Sequence, residues 1–210
     1  MGKDDLVGDL YTGTKETIFD KAIEIISSVG YENMSMKMLA KAVGIKTASI
    51  YNHFSCKQEI LDSIYSYYCD HMFDTRPSIE ESKHVIETGS REEIFKTIIF
   101  NFLSDDPKKY KRMILISKIV MMRIFNDRQA NQIFLEYNCL KPEAYVKELL
   151  EYGIFIGRIE SFDIDTYTKF LTGMLFSMGF KAFARPDYIV GQISEEALIG
   201  KMLMDIIPLK

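Results

Sequence analysis

The sequence has few of the features that mark secreted, membrane-spanning or catalytic proteins. Its 210 residues include three cysteines, Cys56, Cys69 and Cys139, which are far apart and form no C-x-x-C pair. No signal peptide that would direct the chain to an oxidising compartment is recognisable. We therefore expect a cytoplasmic protein with reduced thiols.

Long hydrophobic runs are also lacking. The most apolar stretch, residues 113–125, is interrupted by Lys118 and Arg123, whereas a membrane span requires ~18 or more consecutive apolar residues. Apolar residues make up 47% of the chain and charged residues 27%, which is typical of a globular protein. The length allows one or two domains, with enough chain for a buried core.

Motifs of catalysis and metal binding are missing as well. The sequence has no G-x-G-x-x-G, P-loop, H-E-x-x-H or G-x-S-x-G pattern, and its three histidines do not fall at metal-ligand spacings. The nearest approach to a cluster is Cys69-Asp70-His71. Adjacent residues of a helix point about 100° apart, so these three cannot converge on one metal. We expect no enzyme, no cofactor and no metal.

What the sequence does contain is a helix-turn-helix pattern that begins at Ser35. Ser35 suits the N-cap of a helix and Gly44 suits its end. The buried stripe of this first helix is expected to consist of Met38, Leu39, Ala42 and Val43. A helix, a turn with glycine and a second helix are the layout in which the second helix enters the major groove of DNA.

The second helix is expected from about Lys46 to Phe54. Ile50 and Phe54 are four residues apart and therefore share its buried face. The residues left on the outward face are small, polar or aromatic: Thr47, Ala48, Ser49, Tyr51, Asn52 and His53.

Charge supports a nucleic-acid partner for this segment. Between Asn33 and Gln58 there are four lysines and no acidic residue, whereas the whole chain carries a net charge of −4. A basic island in an acidic protein is a local electrostatic footprint for a polyanion. Taken alone, four lysines can equally form a solvated face.

The segment resembles the signature of the tetracycline-repressor (TetR) family, roughly I-A-x-x-A-G-V-S-x-x-x-L-Y-x-H-F-x-x-K-x-x-L. The resemblance runs from Leu39 to Leu61, LAKAVGIKTASIYNHFSCKQEIL, and the identical positions are Ala40, Gly44, Tyr51, His53, Phe54 and Lys57. Where the family usually has Ser or Thr to cap the recognition helix, this chain has Lys46. The cap therefore moves to Thr47 or is absent.

The resemblance implies roles for individual residues. Tyr51 and His53 match positions that bind phosphates, and Lys57 matches one that adds charge; such contacts fix register but carry no base information. For Tyr51 the alternative is a core aromatic residue, and for His53 a surface histidine without a role. The full predicted DNA-binding set is Ser35, Lys46, Thr47, Ala48, Ser49, Tyr51, Asn52, His53 and Lys57.

The resemblance and the hydrophobic periodicity together predict an all-α protein. We expect an arm at residues 1–13, a three-helix DNA-binding domain at 14–56, and a helical effector-binding and dimerisation domain at 57–210. Capping boxes are expected at Ser55 with Gln58 and at Ser90 with Glu93. Helices are predicted at 14–29, 55–73, 108–125, 127–139, 142–157, 163–183 and 194–207, with a short helix within 74–89 and another from Ser90 to before Asp105.

The C-terminal part is rich in methionine and aromatic residues. These can line an adaptable pocket for an apolar effector or form ordinary core. The candidate ligand-binding residues are Phe95, Phe102, Met113, Met121, Met122, Phe125, Tyr137, Tyr152, Phe155, Met174 and Phe176.

The function that these expectations indicate is a ligand-responsive repressor that binds a palindromic DNA operator as a homodimer. By resemblance, the last two helices pair two subunits. The alternative is a DNA-binding regulator without a small-molecule ligand, whose C-terminal domain binds a protein partner. An enzyme that uses the helix-turn-helix as scaffold is a third, weaker hypothesis.

Overall fold

The computed structural model describes residues 13–73, 76–99 and 107–184, and the regular elements of these ranges are all helices. The all-α fold expected from the sequence is therefore confirmed. The α-helices are α1 (Gly13–Val29), α2 (Met36–Val43), α3 (Thr47–Tyr51), α4 (Lys57–His71), α5 (Ile79–Thr88), α6 (Arg91–Ile99), α7 (Pro107–Arg123), α8 (Arg128–Phe134), α9 (Lys141–Phe155) and α10 (Ile164–Ala184). Of the arm predicted at 1–13, only Gly13 is among the described residues, and it begins α1. The helix predicted at 194–207 lies outside the described residues.

The described residues form two compact units. The first contains residues 13–70 and 111–131, and the second contains the remaining described residues. The boundary between these units differs from the expected domain boundary between residues 56 and 57, because the first unit also contains nearly all of α4 and most of α7. The functional division into domains stays a prediction.

The first unit has buried side chains from α1, α2, α3, α4 and α7. Helix α1 buries its apolar stripe, and α4 and α7 bury theirs, because each presents apolar residues three and four positions apart. Its fully buried side chains include Ile18, Phe19, Ile23, Leu39, Ile60, Ile64, Tyr68, Ile116 and Val120.

The second unit has a core of its own. Its buried residues come from α5, α6, α9, α10 and the turn after α9: Ile86, Ile94, Phe95, Ile98, Val146, Leu149, Leu150, Ile159 and Leu171. The turn after α9 is made by Gly157, whose φ of 77° lies in the left-handed region that favours glycine.

The helix starts follow the chemistry of capping. At α6 the Ser90 N–H donates to Glu93 and the Glu93 N–H donates to Ser90, as the sequence predicts. At α4 the prediction is corrected. The N–H and hydroxyl of Ser55 both donate to Glu59, at 2.6 Å, and not to Gln58. These hydrogen bonds lower the pKa of Glu59, and a carboxylate suits the first turn of a helix better than an amide.

The helix predicted at 127–139 has a more complex form. Helix α8 ends at Phe134 and a π-helical segment, Leu135–Leu140, continues directly into α9. Pro142 lies in the first turn of α9, where its missing N–H costs least.

Candidate nucleic-acid interface

The candidate interface begins with α2, which has a specific cap at each end. The Oγ of Ser35 accepts a hydrogen bond from the Met38 N–H at 3.1 Å, a cap that contributes about 1 kcal/mol. Gly44 has a φ of 80°, and the N–H groups of Gly44 and Ile45 both donate to the Ala40 carbonyl. The chain therefore turns sharply into α3. The expected cap role of Ser35 is confirmed, and its DNA contact stays a prediction.

The buried stripe of α2 differs from the expected one. Leu39 is buried as predicted, but Met38 and Ala42 are exposed, and Met36 and Ala40 are buried instead. Met36, Leu39 and Ala40 follow the spacing i, i+3, i+4 that places residues on one helical face. The correction leaves Met38 on the outward surface beside the turn.

Helix α3 starts without a side-chain cap. Lys46 occupies the N-cap position in an extended conformation and makes no capping hydrogen bond. Its carbonyl accepts the Ser49 N–H at 2.9 Å, but its side chain caps none of the N–H groups of the first turn. Of the two outcomes left open by the sequence, the absent cap is therefore the one observed, with Lys46 at the helix start.

Helix α3 is shorter than predicted: it ends at Tyr51 and not at Phe54, so Asn52 and His53 follow the helix. Ile50 and Phe54 are both buried. Tyr51 is 51% exposed, so its interpretation as a core aromatic residue is wrong. Ala48 and Asn52 are also exposed, whereas the remaining outward candidates, Thr47, Ser49 and His53, are half-buried.

Positive charge is concentrated on the same surface. A shallow open groove of about 700 Å³ lies between the starts of α2 and α3. Three exposed lysines, Lys37, Lys41 and Lys46, border this groove. Because no acidic residue lies between Asn33 and Gln58, their charges are not offset from within the segment. Lysine side chains arranged in this way neutralise DNA phosphates.

Lys57, at the start of α4, is held by the connection between α1 and α2. Its Nζ donates to the Glu32 carbonyl at 3.2 Å and lies 4.2 Å from the centroid of the Tyr31 ring. Tyr31 in turn donates its hydroxyl proton to Gln58, at 2.9 Å. Burial is the main cause of the raised pKa of Tyr31, so Tyr31 remains a neutral donor at ordinary pH.

Two arginines of α7 contact residues of the first unit that are far away in the sequence. Arg112 donates to Asp20 at 2.7 and 2.9 Å and to Glu16 at 2.9 Å. Arg123 forms an ion pair with Glu32 at 3.1 Å. Neither arginine was singled out as functional from sequence. The available signal was the position of Arg123 in an apolar stretch, because a charge there needs a partner.

The candidate ligand residues fall into both compact units. Met113, Met121, Met122 and Phe125 belong to the first unit; Phe125 is 88% exposed, Met122 is exposed, and the other two are half-buried. Phe102 lies outside the described residues. The candidates of the second unit are Phe95, Tyr137, Tyr152, Phe155, Met174 and Phe176.

In the second unit these candidates have different environments. Phe95 is in the core, and Tyr152 and Met174 pack against that core. Tyr137 stacks on Phe73 with ring centroids 5.7 Å apart. The remaining two, Phe155 and Phe176, are exposed, Phe155 by 86%. The assignment of this set to an effector pocket stays a prediction.

Two buried hydroxyl groups on α10 were missed from sequence. The hydroxyls of Tyr167 and Thr168 are buried and have no hydrogen-bond partner within the part of the chain that the structure describes. Burial raises the pKa of Tyr167 to about 12. A buried polar group without a partner costs about 1–3 kcal/mol, so these two hydroxyls mark a place where a further polar group would be stabilising.

Metal-binding and membrane-spanning features do not occur in the described ranges. No group of three or more histidine, cysteine, aspartate or glutamate side chains there is placed to hold a metal ion. No helix in those ranges has both the length and the apolarity needed to cross a membrane.

Comparison with known proteins finds a family that matches the helix-turn-helix segment. Residues 18–64 match the family described as bacterial regulatory proteins, tetR family. Over 99 residues the chain is 32% identical to IcaR of Staphylococcus aureus strain Newman, the HTH-type negative transcriptional regulator of the biofilm operon icaADBC. The match covers 47% of this chain and 50% of that protein, so the chain spans about half the length of the curated relatives it matches.

Solved structures extend the likeness over nearly the whole chain. PfmR, a TetR family transcriptional regulator from Thermus thermophilus, has a TM-score of 0.60 at 20% identity and covers 94% of this chain and 96% of its own. HlyIIR, a hemolysin II transcriptional regulator, has a TM-score of 0.53 at 16% identity, covering 94% and 98%. At these identities the likeness establishes the fold.

Proposed function

We propose that this chain is a DNA-binding transcriptional repressor of the tetR family of bacterial regulatory proteins. In this proposal it acts in the cytoplasm, binds a roughly palindromic operator as a homodimer, and responds to a small effector.

The observation that carries the proposal is the surface formed by α3 and the lysines around it. Tyr51 of α3 and Asn52, which directly follows the helix, are exposed, and three lysines border the groove beside them. Lysine contacts to phosphates supply affinity for any sequence, whereas side chains such as Asn52 and Thr47 supply base recognition in the major groove.

We propose repression because the name of one relative states its regulatory role. IcaR of Staphylococcus aureus is named a negative transcriptional regulator, and it is 32% identical to this chain over 99 residues. A repressor blocks transcription by occupying its operator, which requires no further catalytic group.

A homodimer is proposed because two recognition helices must enter successive major grooves, ~34–36 Å apart. Helix α10 offers an apolar surface for pairing. Phe170 and Phe180 are 55% and 52% exposed, and Gly173 and Ser177 between them are exposed and small. Phe170, Gly173, Ser177 and Phe180 follow the three-and-four spacing of one helical face.

An effector is proposed for the second unit. The unpaired hydroxyls of Tyr167 and Thr168 would gain from a ligand that offers hydrogen-bonding groups together with apolar surface. Such an effector changes DNA binding only through its different affinities for the bound and released conformations.

The alternative is a protein partner in place of the small effector. Leu140 and Phe155 of the second unit are 62% and 86% exposed, and exposed apolar side chains are typical of protein contacts when they form a patch. A thermal-shift screen separates the two proposals, because a specific ligand at ~100 times its dissociation constant adds ~2.7 kcal/mol to the unfolding free energy.

The DNA-binding proposal is tested by selection from random double-stranded DNA. We expect the purified chain to enrich a palindrome whose half-sites are centred about one helical turn apart. The Asn52→Ala and Thr47→Ala variants are expected to enrich a different sequence, because they alter base contacts. Recovery of unenriched DNA by the wild-type chain at low salt would contradict the proposal.

A further inference from the structure

We propose that Tyr31 is a positioning residue that holds the Lys57 ammonium ready for a DNA phosphate, and that Arg123 of α7 fixes Tyr31 in place. The inference rests on the proposed DNA-binding function and adds to it a residue outside the TetR signature segment Leu39–Leu61.

The first step concerns the freedom of Lys57. A lysine side chain normally samples many rotamers, and ordering it on binding costs entropy. Here Nζ makes two contacts: it lies 3.2 Å from the Glu32 carbonyl oxygen and 4.2 Å from the Tyr31 ring centroid. An ammonium group has three N–H donors. The carbonyl and the ring face engage two directions, and the third is left for a phosphate oxygen.

The second step concerns what holds the ring. The Tyr31 hydroxyl donates to Gln58 Oε1 at 2.9 Å, and the Arg123 guanidinium carbon lies 4.4 Å from the same ring centroid. Arg123 is itself fixed, because its Nε donates to the Tyr65 hydroxyl at 3.0 Å. Its side chain is 17% exposed. The ring is thus a rigid surface rather than a loose side chain.

The third step concerns charge. Glu32 supplies the carbonyl that holds Lys57, but it also carries a carboxylate that is 80% exposed. Arg123 pairs with this carboxylate at 3.1 Å. The pair offsets a negative charge that would otherwise repel a phosphate approaching Lys57. Arg123 therefore supports the Lys57 contact both through the ring and through Glu32.

The test is a double-mutant cycle measured by fluorescence anisotropy with a short duplex of arbitrary sequence at low salt, since phosphate contacts do not depend on sequence. We expect Tyr31→Leu to weaken binding about two- to fivefold, the range of a cation–π contact at a partly exposed site. Tyr31→Phe keeps the ring and is expected to retain most of the affinity. In a Lys57→Ala background, Tyr31→Leu is expected to have no further effect.

Other outcomes overturn the inference. An equal loss from Tyr31→Leu with and without Lys57, or an equal loss from Tyr31→Phe and Tyr31→Leu, would show that Tyr31 acts only through the fold. If the wild-type chain binds no duplex at all, the DNA-binding proposal itself fails. That result differs from one in which the wild-type chain binds DNA but Tyr31 and Lys57 show no coupling.

A second measurement does not depend on the folding of Tyr31→Leu. A methylene next to an aromatic face has a nuclear magnetic resonance signal shifted by the ring. We expect the Lys57 ε-methylene signal to be shifted in the wild-type and Tyr31→Phe proteins relative to that of the exposed Lys46. Equal positions for the two lysines would contradict the placement of Lys57 on Tyr31.

Discussion

At the scale of single residues, Arg112 shows how the chain ties distant segments together. Its guanidinium forms two hydrogen bonds with Asp20, one with Glu16 and one with the Tyr67 hydroxyl. Burial opposes its charge, but the hydrogen bonds to Asp20, Tyr67 and Glu16 keep its pKa above the ordinary value. A planar guanidinium suits this fork-like contact, which a lysine cannot reproduce.

We expect Arg112→Ala to lower the unfolding free energy by about 2 kcal/mol, because it leaves two partly buried carboxylates without their common partner. The matched control is Lys96→Ala, which removes a cation from an exposed pair with Glu92 and should cost less than about 0.5 kcal/mol. Because the sequence has no tryptophan, urea unfolding is followed by circular dichroism. Equal effects of the two changes would contradict the stabilising role of Arg112.

A second residue-scale prediction concerns Thr168. Replacing it by the similarly shaped valine removes a buried hydroxyl that has no partner within the described chain, so we expect Thr168→Val to raise the unfolding free energy by about 1 kcal/mol. Thr172→Val is the matched control on α10, because the Thr172 hydroxyl donates to the Thr168 carbonyl at 2.9 Å. We expect no gain there. Destabilisation by Thr168→Val in thermal unfolding would show that its hydroxyl has a stabilising partner.

At the scale of elements, local rules accounted for much of the site. The cap at Ser35, the end of α2 at Gly44 and the burial of Ile50 follow from nearest neighbours along the chain, and the sequence predicts them. The stripe of α2 was shifted because Met36 and Met38 are equally apolar, and composition alone does not say which one faces the core. The π-helical segment before α9 was not predicted, since a widened turn has no distinct residue pattern.

The uncapped start of α3 leads to a prediction that separates stability from DNA binding. Lys46→Ser would place a hydroxyl where it can accept the Ala48 N–H, so we expect a gain of about 1 kcal/mol in unfolding free energy. The same change removes one cation and is expected to weaken binding to all duplexes. Lys37→Ser removes a cation without creating a cap. It should weaken binding without any gain in stability, and a gain equal to that of Lys46→Ser would contradict the capping argument.

At the scale of the whole molecule, the division into two compact units could not be predicted from the sequence. Most of α7 belongs to the first unit through pairs such as Arg112 with Glu16, which are 96 residues apart. Periodicity reports which face of a helix is buried but not which distant helix covers it. The recognition signature covers residues 39–61, so it carried no information on α7 either.

The proposed dimer leads to a prediction for α10. We expect Phe170→Glu to shift the chain from dimer to monomer in light scattering coupled to gel filtration, because it places a charge on the apolar face proposed for pairing. Phe125→Glu is the matched control, since Phe125 is also exposed but lies in the first unit. A dimer that survives Phe170→Glu at micromolar concentration would remove α10 from the interface.

The most direct test of the central claim is the salt dependence of duplex binding. If Lys57 contacts a phosphate, Lys57→Ala should weaken binding to all sequences alike and reduce the slope of log affinity against log salt by about one ion for each bound subunit. Lys169→Ala, which removes an exposed charge from α10, should leave the slope unchanged. A slope that is the same in the wild-type, Lys57→Ala and Lys169→Ala proteins would contradict the account.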